Sequence, residues 1–176
     1  RDRNNCKDLS DPGSTGSLRE TWIRGAYDWS SDPYAPGSWN STHKGMQTTG
    51  YPGTTWKGPQ FAVNPGQNWR IVIRIKSVGT TNSTFYAGVT SYDHTGTEIF
   101  TDAMSSYNYH VASGAVLVPG NTYTYAATIG GWNPAGGSGT GFDPDAAFFS
   151  PIMILNYTNP ATASVVVQGI SVFPVQ

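Results

Sequence analysis

The chain has 176 residues, a length that suits one domain, and its net charge of −1, without a run of five basic residues, excludes the electrostatic footprint of a nucleic-acid binder. Charged residues make up 12% and aromatics 13%, with 21 glycines and 12 prolines, a mix of turn formers and large apolar side chains that favours short strands joined by turns. Glutamate occurs only at Glu20 and Glu98, while Thr, Ser, Tyr and Val abound, so strand propensity dominates over helix propensity.

Residues 1–17 are polar, contain Asp11-Pro12-Gly13 and Gly16, and follow neither a strand nor a helix period, so they read as a flexible arm or linker ahead of a single β-sandwich domain over 18–176. The opening Arg1-Asp2-Arg3 is neither an initiator methionine nor the start of a signal peptide, and the chain reads as processed or as part of a longer one. Cys6 is the only cysteine, which excludes an intrachain disulfide. No apolar run approaches the roughly 18 residues of a membrane span.

A short strand is expected from Glu20 to Tyr27, followed by a Pro/Gly/Ser/Trp stretch over 28–58 without regular structure. Strands follow at Gln60–Val63 and Trp69–Lys76. In the second of these, Trp69, Ile71, Ile73 and Ile75 fall on one face and Arg70, Arg74 and Lys76 on the other. Phe85–Tyr92 and Thr97–Phe100, joined by Asp93-His94-Thr95-Gly96, read as a hairpin. Further strands are expected at Tyr107–Val111, Ala115–Val118, Thr122–Ile129, Phe148–Tyr157 and Ser164–Phe173, with a turn at Pro119-Gly120-Asn121 and a helical alternative over 102–108. A second glycine-rich loop spans 130–145. This spacing of strands and turns predicts an all-β fold, a two-sheet antiparallel β-sandwich of jelly-roll type.

Catalytic signatures are sparse. His43, His94 and His110 are scattered, and the sequence has no HExxH, GxSxG, P-loop or dinucleotide fingerprint. Gly136–Gly141 lacks the strand-turn-helix setting that would aim amides at a phosphate. Asp28, Asp32, Asp143 and Asp145 lie in aromatic-bearing loops, yet Asp beside Pro is equally explained by turn capping, so the chain is not expected to be an enzyme. Calcium is a possible cofactor, with Asp143 and Asp145 as candidate ligands, because loop carboxylates and carbonyls supply hard oxygens.

The stronger signal is aromatic. Trp29, Tyr34, Trp39, Tyr51 and Trp56 fall in the first irregular stretch and Trp132 in the second loop. Of these, Trp29, Tyr34, Trp39, Trp56 and Trp132 are the candidate ligand-binding residues. A flat ring packs on the C–H face of a pyranose while neighbouring Asn, Asp, Gln and Thr bond its hydroxyls, although the same rings could instead cover the ends of the sandwich. Asn40-Ser41-Thr42, Asn82-Ser83-Thr84 and Asn156-Tyr157-Thr158 match the N-glycosylation pattern.

The run Phe85-Tyr86-Ala87-Gly88-Val89-Thr90-Ser91-Tyr92-Asp93-His94-Thr95-Gly96-Thr97-Glu98-Ile99, the later Phe149-Ser150-Pro151-Ile152-Met153-Ile154-Leu155-Asn156-Tyr157-Thr158-Asn159 and the closing Val167-Gln168-Gly169-Ile170-Ser171-Val172 carry a resemblance. They are similar to the carbohydrate-binding-module-like jelly rolls of bacteriophage tail fibres and tailspikes. The resemblance implies a non-catalytic domain that binds a glycan or host-surface receptor, extracellular or on a virion surface, in a homo-oligomer such as a trimer. The competing expectation is a structural subunit, a capsid decoration, appendage or fibre, whose aromatics bury against neighbouring copies.

Overall fold

The computed structural model describes residues 37–50, 54–64, 66–100, 106–131 and 141–175. The expected arm over 1–17 and strand Glu20–Tyr27 lie outside these residues. The described chain forms eleven strands: β1 (Ser38–Asn40), β2 (Gly45–Thr49), β3 (Thr54–Lys57), β4 (Phe61–Ala62), β5 (Asn68–Ser77), β6 (Ser83–Tyr92), β7 (Glu98–Ile99), β8 (Tyr107–Leu117), β9 (Thr122–Ile129), β10 (Phe148–Leu155) and β11 (Ser164–Val175). All pairings are antiparallel, in two sheets.

Sheet A runs β1-β2-β11-β5-β9. Its central strand is β11, and beside it lies β5, where Trp69, Ile71, Ile73 and Ile75 are buried while Arg70, Arg74 and Lys76 point away, as the alternation predicts. On β9, Tyr123 and Tyr125 pair with Ile75 and Ile73 and so share the inward face, leaving Thr122, Thr124, Ala126 and Thr128 outward. On β11 the register shifts between Val167 and Gly169, a bulge that lets Val165, Val167, Ile170 and Val172 all reach the core.

Sheet B centres on β10 and β6. One edge of β10 is shared by β4, opposite residues 148–149, and β3, opposite 152–155. Pro151 sits at the gap between them: its carbonyl accepts from Gly58 N–H, so its missing donor falls where no strand needs it. The far edge of β6 is shared by β8 and β7. Phe85, Ala87 and Val89 of β6 and Phe149, Met153 and Leu155 of β10 face the core between the sheets, which closes at one end in a cluster of Phe61, Trp69, Phe142 and Phe149 with ring centroids 5.0–5.4 Å apart.

Three expectations change. The stretch 28–58 holds β1, β2 and β3, short strands whose order comes from pairing with β11 and β10 rather than from their own weak patterns. The two strands expected around 107–118 are one, β8, broken in register opposite Ala87 and bent at Gly114, which has φ +66°. At the bulge, the Asn108 carbonyl lies 1.7 Å from where a Gly88 Cβ would stand, so only glycine admits β8 at this distance. Within the helical alternative over 102–108, Tyr107 and Asn108 belong to β8.

Candidate functional site

Because Phe85, Ala87 and Val89 point inward, Tyr86, Gly88, Thr90 and Tyr92 of β6 face outward, and the same alternation puts Lys57 of β3 and Ser150, Ile152 and Ile154 of β10 on this outer face. Across it runs a row of four tyrosines from three elements. The ring centroids of Tyr107 and Tyr109 on β8 are 6.4 Å apart, Tyr109 lies 4.9 Å from Tyr86, and Tyr86 lies 5.2 Å from Tyr157 in the turn after β10. Successive rings are inclined by 55–80°, so the row offers ring edges and faces in alternation rather than one flat plate. Tyr157 is 41% exposed and the other three are half-buried.

The backbone supplies this row its places. Asn156 and Thr158 adopt left-handed φ of 54° and 55°, and the Tyr157 amide between them donates to Thr84 O, which swings the Tyr157 ring against Tyr86. The bend at Gly114 brings β8 within van der Waals reach of the Tyr86 hydroxyl, 3.4 Å from the position of a Cβ.

At the end of the row near Tyr107 is a polar cluster. Lys57 Nζ donates to Glu98 Oε1 and stands 5.3 Å from the Tyr107 ring centroid; Ser106 Oγ donates to Glu98 Oε2 at 2.9 Å, and the Tyr92 hydroxyl is 3.5 Å from Oε1. Burial alone would lower the Lys57 pKa, but the Glu98 hydrogen bond and the Tyr107 ring outweigh it and the ammonium is held above its usual range. Burial would likewise raise Glu98, but the bonds from Lys57 and Ser106 prevail and hold its carboxyl below the usual range. Burial raises the Tyr92 phenol. Among the described residues this end of the face therefore carries a cation and an anion that neutralise each other, surrounded by phenols and small hydroxyls.

Neither of the two sequence-proposed aromatics that are described, Trp39 and Trp56, belongs to this row. Trp39, on the β1 edge of sheet A, is 37% exposed. Trp56 is 3% exposed and part of the core opposite Met153, with Gly37 against its ring, so it has no open face. Trp29, Tyr34 and Trp132 lie outside the described residues. Asp143 Oδ1 accepts the Asp145 amide at 2.9 Å, a turn-capping contact, and no group of three or more His, Cys, Asp or Glu suited to a metal occurs among the described residues. Of the three sequons, Asn156 is fully buried with both amide atoms engaged, Asn40 Nδ2 donates to Gln47 Oε1, and Asn82 is exposed. No helix among the described residues is long and apolar enough to cross a membrane.

The tyrosine row was legible in part. Tyr107-Asn108-Tyr109 repeats at the strand period, and Tyr86 alternates with Phe85 and Ala87, which places aromatics on both faces of one strand. A core needs only one of those faces.

The class is a two-sheet antiparallel jelly-roll module with an aromatic row on one outer face. No protein-family profile matches the chain, and no curated protein sequence matches it. Solved structures do match. The C-terminal family 22 carbohydrate-binding module of Clostridium thermocellum Xyn10B is similar at a TM-score of 0.56 and 13% identity, over 98% of this chain and 96% of that one. The CBM22-1 xylan-binding domain of Paenibacillus barcinonensis Xyn10C follows at 0.52 and 14%, over 84% and 86%. In the tandem CBM22-1–CBM22-2 structure of that protein the TM-score is again 0.52 at 14% identity, over 84% of this chain, which spans 41% of that one. At such identities the likeness is one of fold: these neighbours are β-sandwich carbohydrate-binding modules.

Proposed function

We propose that this chain is a non-catalytic glycan-binding domain whose ligand lies along the tyrosine row of sheet B. The observation that carries the reading is the continuous line Tyr107, Tyr109, Tyr86 and Tyr157 on an outer sheet face, floored by Ile152 and Ile154 and ended by an internally neutralised Lys57–Glu98 pair. Rings pack on sugar C–H faces, their hydroxyls and those of Ser106 and Thr84 bond sugar hydroxyls, and the balanced charge suits a neutral glycan. The fold shared with xylan-binding modules supports the same reading. Trp39, exposed on the β1 edge of sheet A, and Trp29, Tyr34 and Trp132 are kept in this proposal as candidate ligand contacts on the ground of their sequence setting alone, and the setting is extracellular or a virion appendage, as the resemblance to tail-fibre and tailspike modules implies.

Catalysis is not proposed. Among the described carboxylates, Glu98 is committed to Lys57, Asp93 accepts three hydrogen bonds within its own turn, and Asp143 caps another. A glycan-array screen of the whole chain, with and without chelator, tests the reading. Binding to neutral polysaccharides that survives chelator is the expected result, and a blank from folded protein moves the weight to a structural subunit.

A further inference from the structure

We propose that the outer face of sheet A is a second binding surface, for a carboxylate-bearing polysaccharide, distinct from the tyrosine row and independent of it. The described charges are segregated between the two sheets. Lys44, Arg70, Arg74 and Lys76 belong to sheet A or the turn between β1 and β2, whereas Asp93, Glu98, Asp143 and Asp145 all lie on sheet B or in the loops leading to and from its strands, where Lys57, the remaining described cation, is paired with Glu98. A chain with a net charge of −1 thus presents a face that carries cations alone among the described residues.

The geometry of that face favours a linear partner. Arg70, Arg74 and Lys76 project from one side of a single strand, β5, and at about 3.4 Å of rise per residue they span roughly 20 Å. Thr128, Thr124 and Thr122 of β9 pair with Arg70, Arg74 and Lys76 on one side, so each cation has a hydroxyl neighbour there, while on the β11 side their partners are Phe173, Gly169 and Val166, with Ser171 and the bulged Gln168 between these positions. All three are steered across the sheet by neutral acceptors: Arg70 donates to Thr128 Oγ1 at 3.1 Å, Arg74 Nε to Gln168 Oε1 at 3.2 Å, and Lys76 Nζ to the Gly120 carbonyl at 2.9 Å. None has a carboxylate partner among the described residues. Each arginine contacts its acceptor through one nitrogen, and the rest of its five-donor fork remains for bidentate capture of a carboxylate.

A polysaccharide fits better than a nucleic acid. Three cations in a line, interleaved with hydroxyls and a side-chain amide, match a chain that alternates carboxylates with sugar hydroxyls, and they fall short of the dense basic footprint that a phosphate backbone selects.

The test is affinity electrophoresis of the full chain through gels containing polygalacturonate, its fully methyl-esterified form, or double-stranded DNA. The expected result is retardation by polygalacturonate alone, weakened about tenfold or more in an Arg70→Gln/Arg74→Gln/Lys76→Gln variant, since charge-assisted pairs are the strong ones. The substituted side chains are on the surface, and an unchanged thermal midpoint and circular dichroism spectrum establish that the variant is folded. A Tyr86→Ala/Tyr109→Ala variant should keep its retardation by polygalacturonate, which separates this surface from the tyrosine row. The proposal is overturned by no retardation, by equal retardation in the methyl-esterified polymer, by equal or stronger retardation in DNA, or by a triple variant that migrates like the parent. In each of those cases neutral-glycan binding through the tyrosines would stand on its own result.

Discussion

Asn156 joins the two sheets. It is fully buried, its Oδ1 accepts from Ser83 Oγ of β6 at 2.7 Å, and its Nδ2 donates to the Thr48 carbonyl of β2 at 3.2 Å, while its backbone holds a left-handed φ of 54°. Asparagine tolerates that φ better than most residues, and its amide supplies both the donor and the acceptor. Asn156→Ala removes the acceptor of the buried Ser83 hydroxyl and one of two donors to the Thr48 carbonyl, which keeps its bond from Ser164 Oγ, and it puts alanine at a left-handed φ, so we expect a loss of about 2–3 kcal/mol in urea unfolding. The same residue seats Tyr157, so this variant should also weaken glycan binding. At this scale the sequence is least explicit. Asn156-Tyr157-Thr158 has the form of a glycosylation acceptor, and only the contacts across two sheets show the asparagine to be structural.

His110 makes a second residue-scale prediction. Burial pushes its pKa down to about 4, and Nε2 has no hydrogen-bond partner among the described residues. The unfolded chain therefore binds a proton that the native state refuses between pH 6.5 and about 4, so stability falls as pH drops through that window. Allowing for a partly solvated ring, the loss by pH 4 is about 2 kcal/mol, and thermal unfolding of His110→Asn should show a shallower decline from pH 7 to 4.5. Glu98, with its lowered pKa, adds an acid limb of the same sign below the usual carboxylate range, because the pairing it contributes above that range is lost on protonation.

At the scale of elements, β6 and β8 carry the site, and Gly88 sets the distance between them. A side chain there would meet the Asn108 backbone carbonyl, which cannot swing away as a flexible side chain would. Gly88→Ala should cost about 2–4 kcal/mol and displace Tyr107 and Tyr109, so affinity falls even where the domain still folds. The strands with strong alternation were legible: β5 was assigned with both faces correct, and the β6–β7 hairpin with its turn. The elements that the sequence hid are those whose order is borrowed. Ser38-Trp39-Asn40 has no pattern of its own and forms β1 by pairing with β2. Trp56 enters the core because β3 is registered on β10, a fact that the polar run around it does not encode.

At the scale of the whole molecule, two closely packed sheets leave two outer faces of opposite character. One bears a tyrosine row and a balanced ion pair, the other a stripe of cations among threonines. A sandwich can divide its outer faces in this way because its core needs only the inward half of each strand. Composition together with the spacing of strands and turns foresaw the fold class. Tryptophans in loops lack an evident core role and so stand out, whereas tyrosines within strands, residues of intermediate burial, give no sign in the sequence of which sheet face they occupy.

The central claim, that the tyrosine row binds glycan, is tested most directly by isothermal titration of the whole chain and of Tyr86→Ala and Tyr109→Ala with the neutral polysaccharide selected on the array. We expect each substitution to weaken binding about tenfold or more while circular dichroism stays unchanged, as for aromatic contacts at the centre of a binding surface. Affinity equal to that of the parent in both variants would contradict the assignment of the site to sheet B.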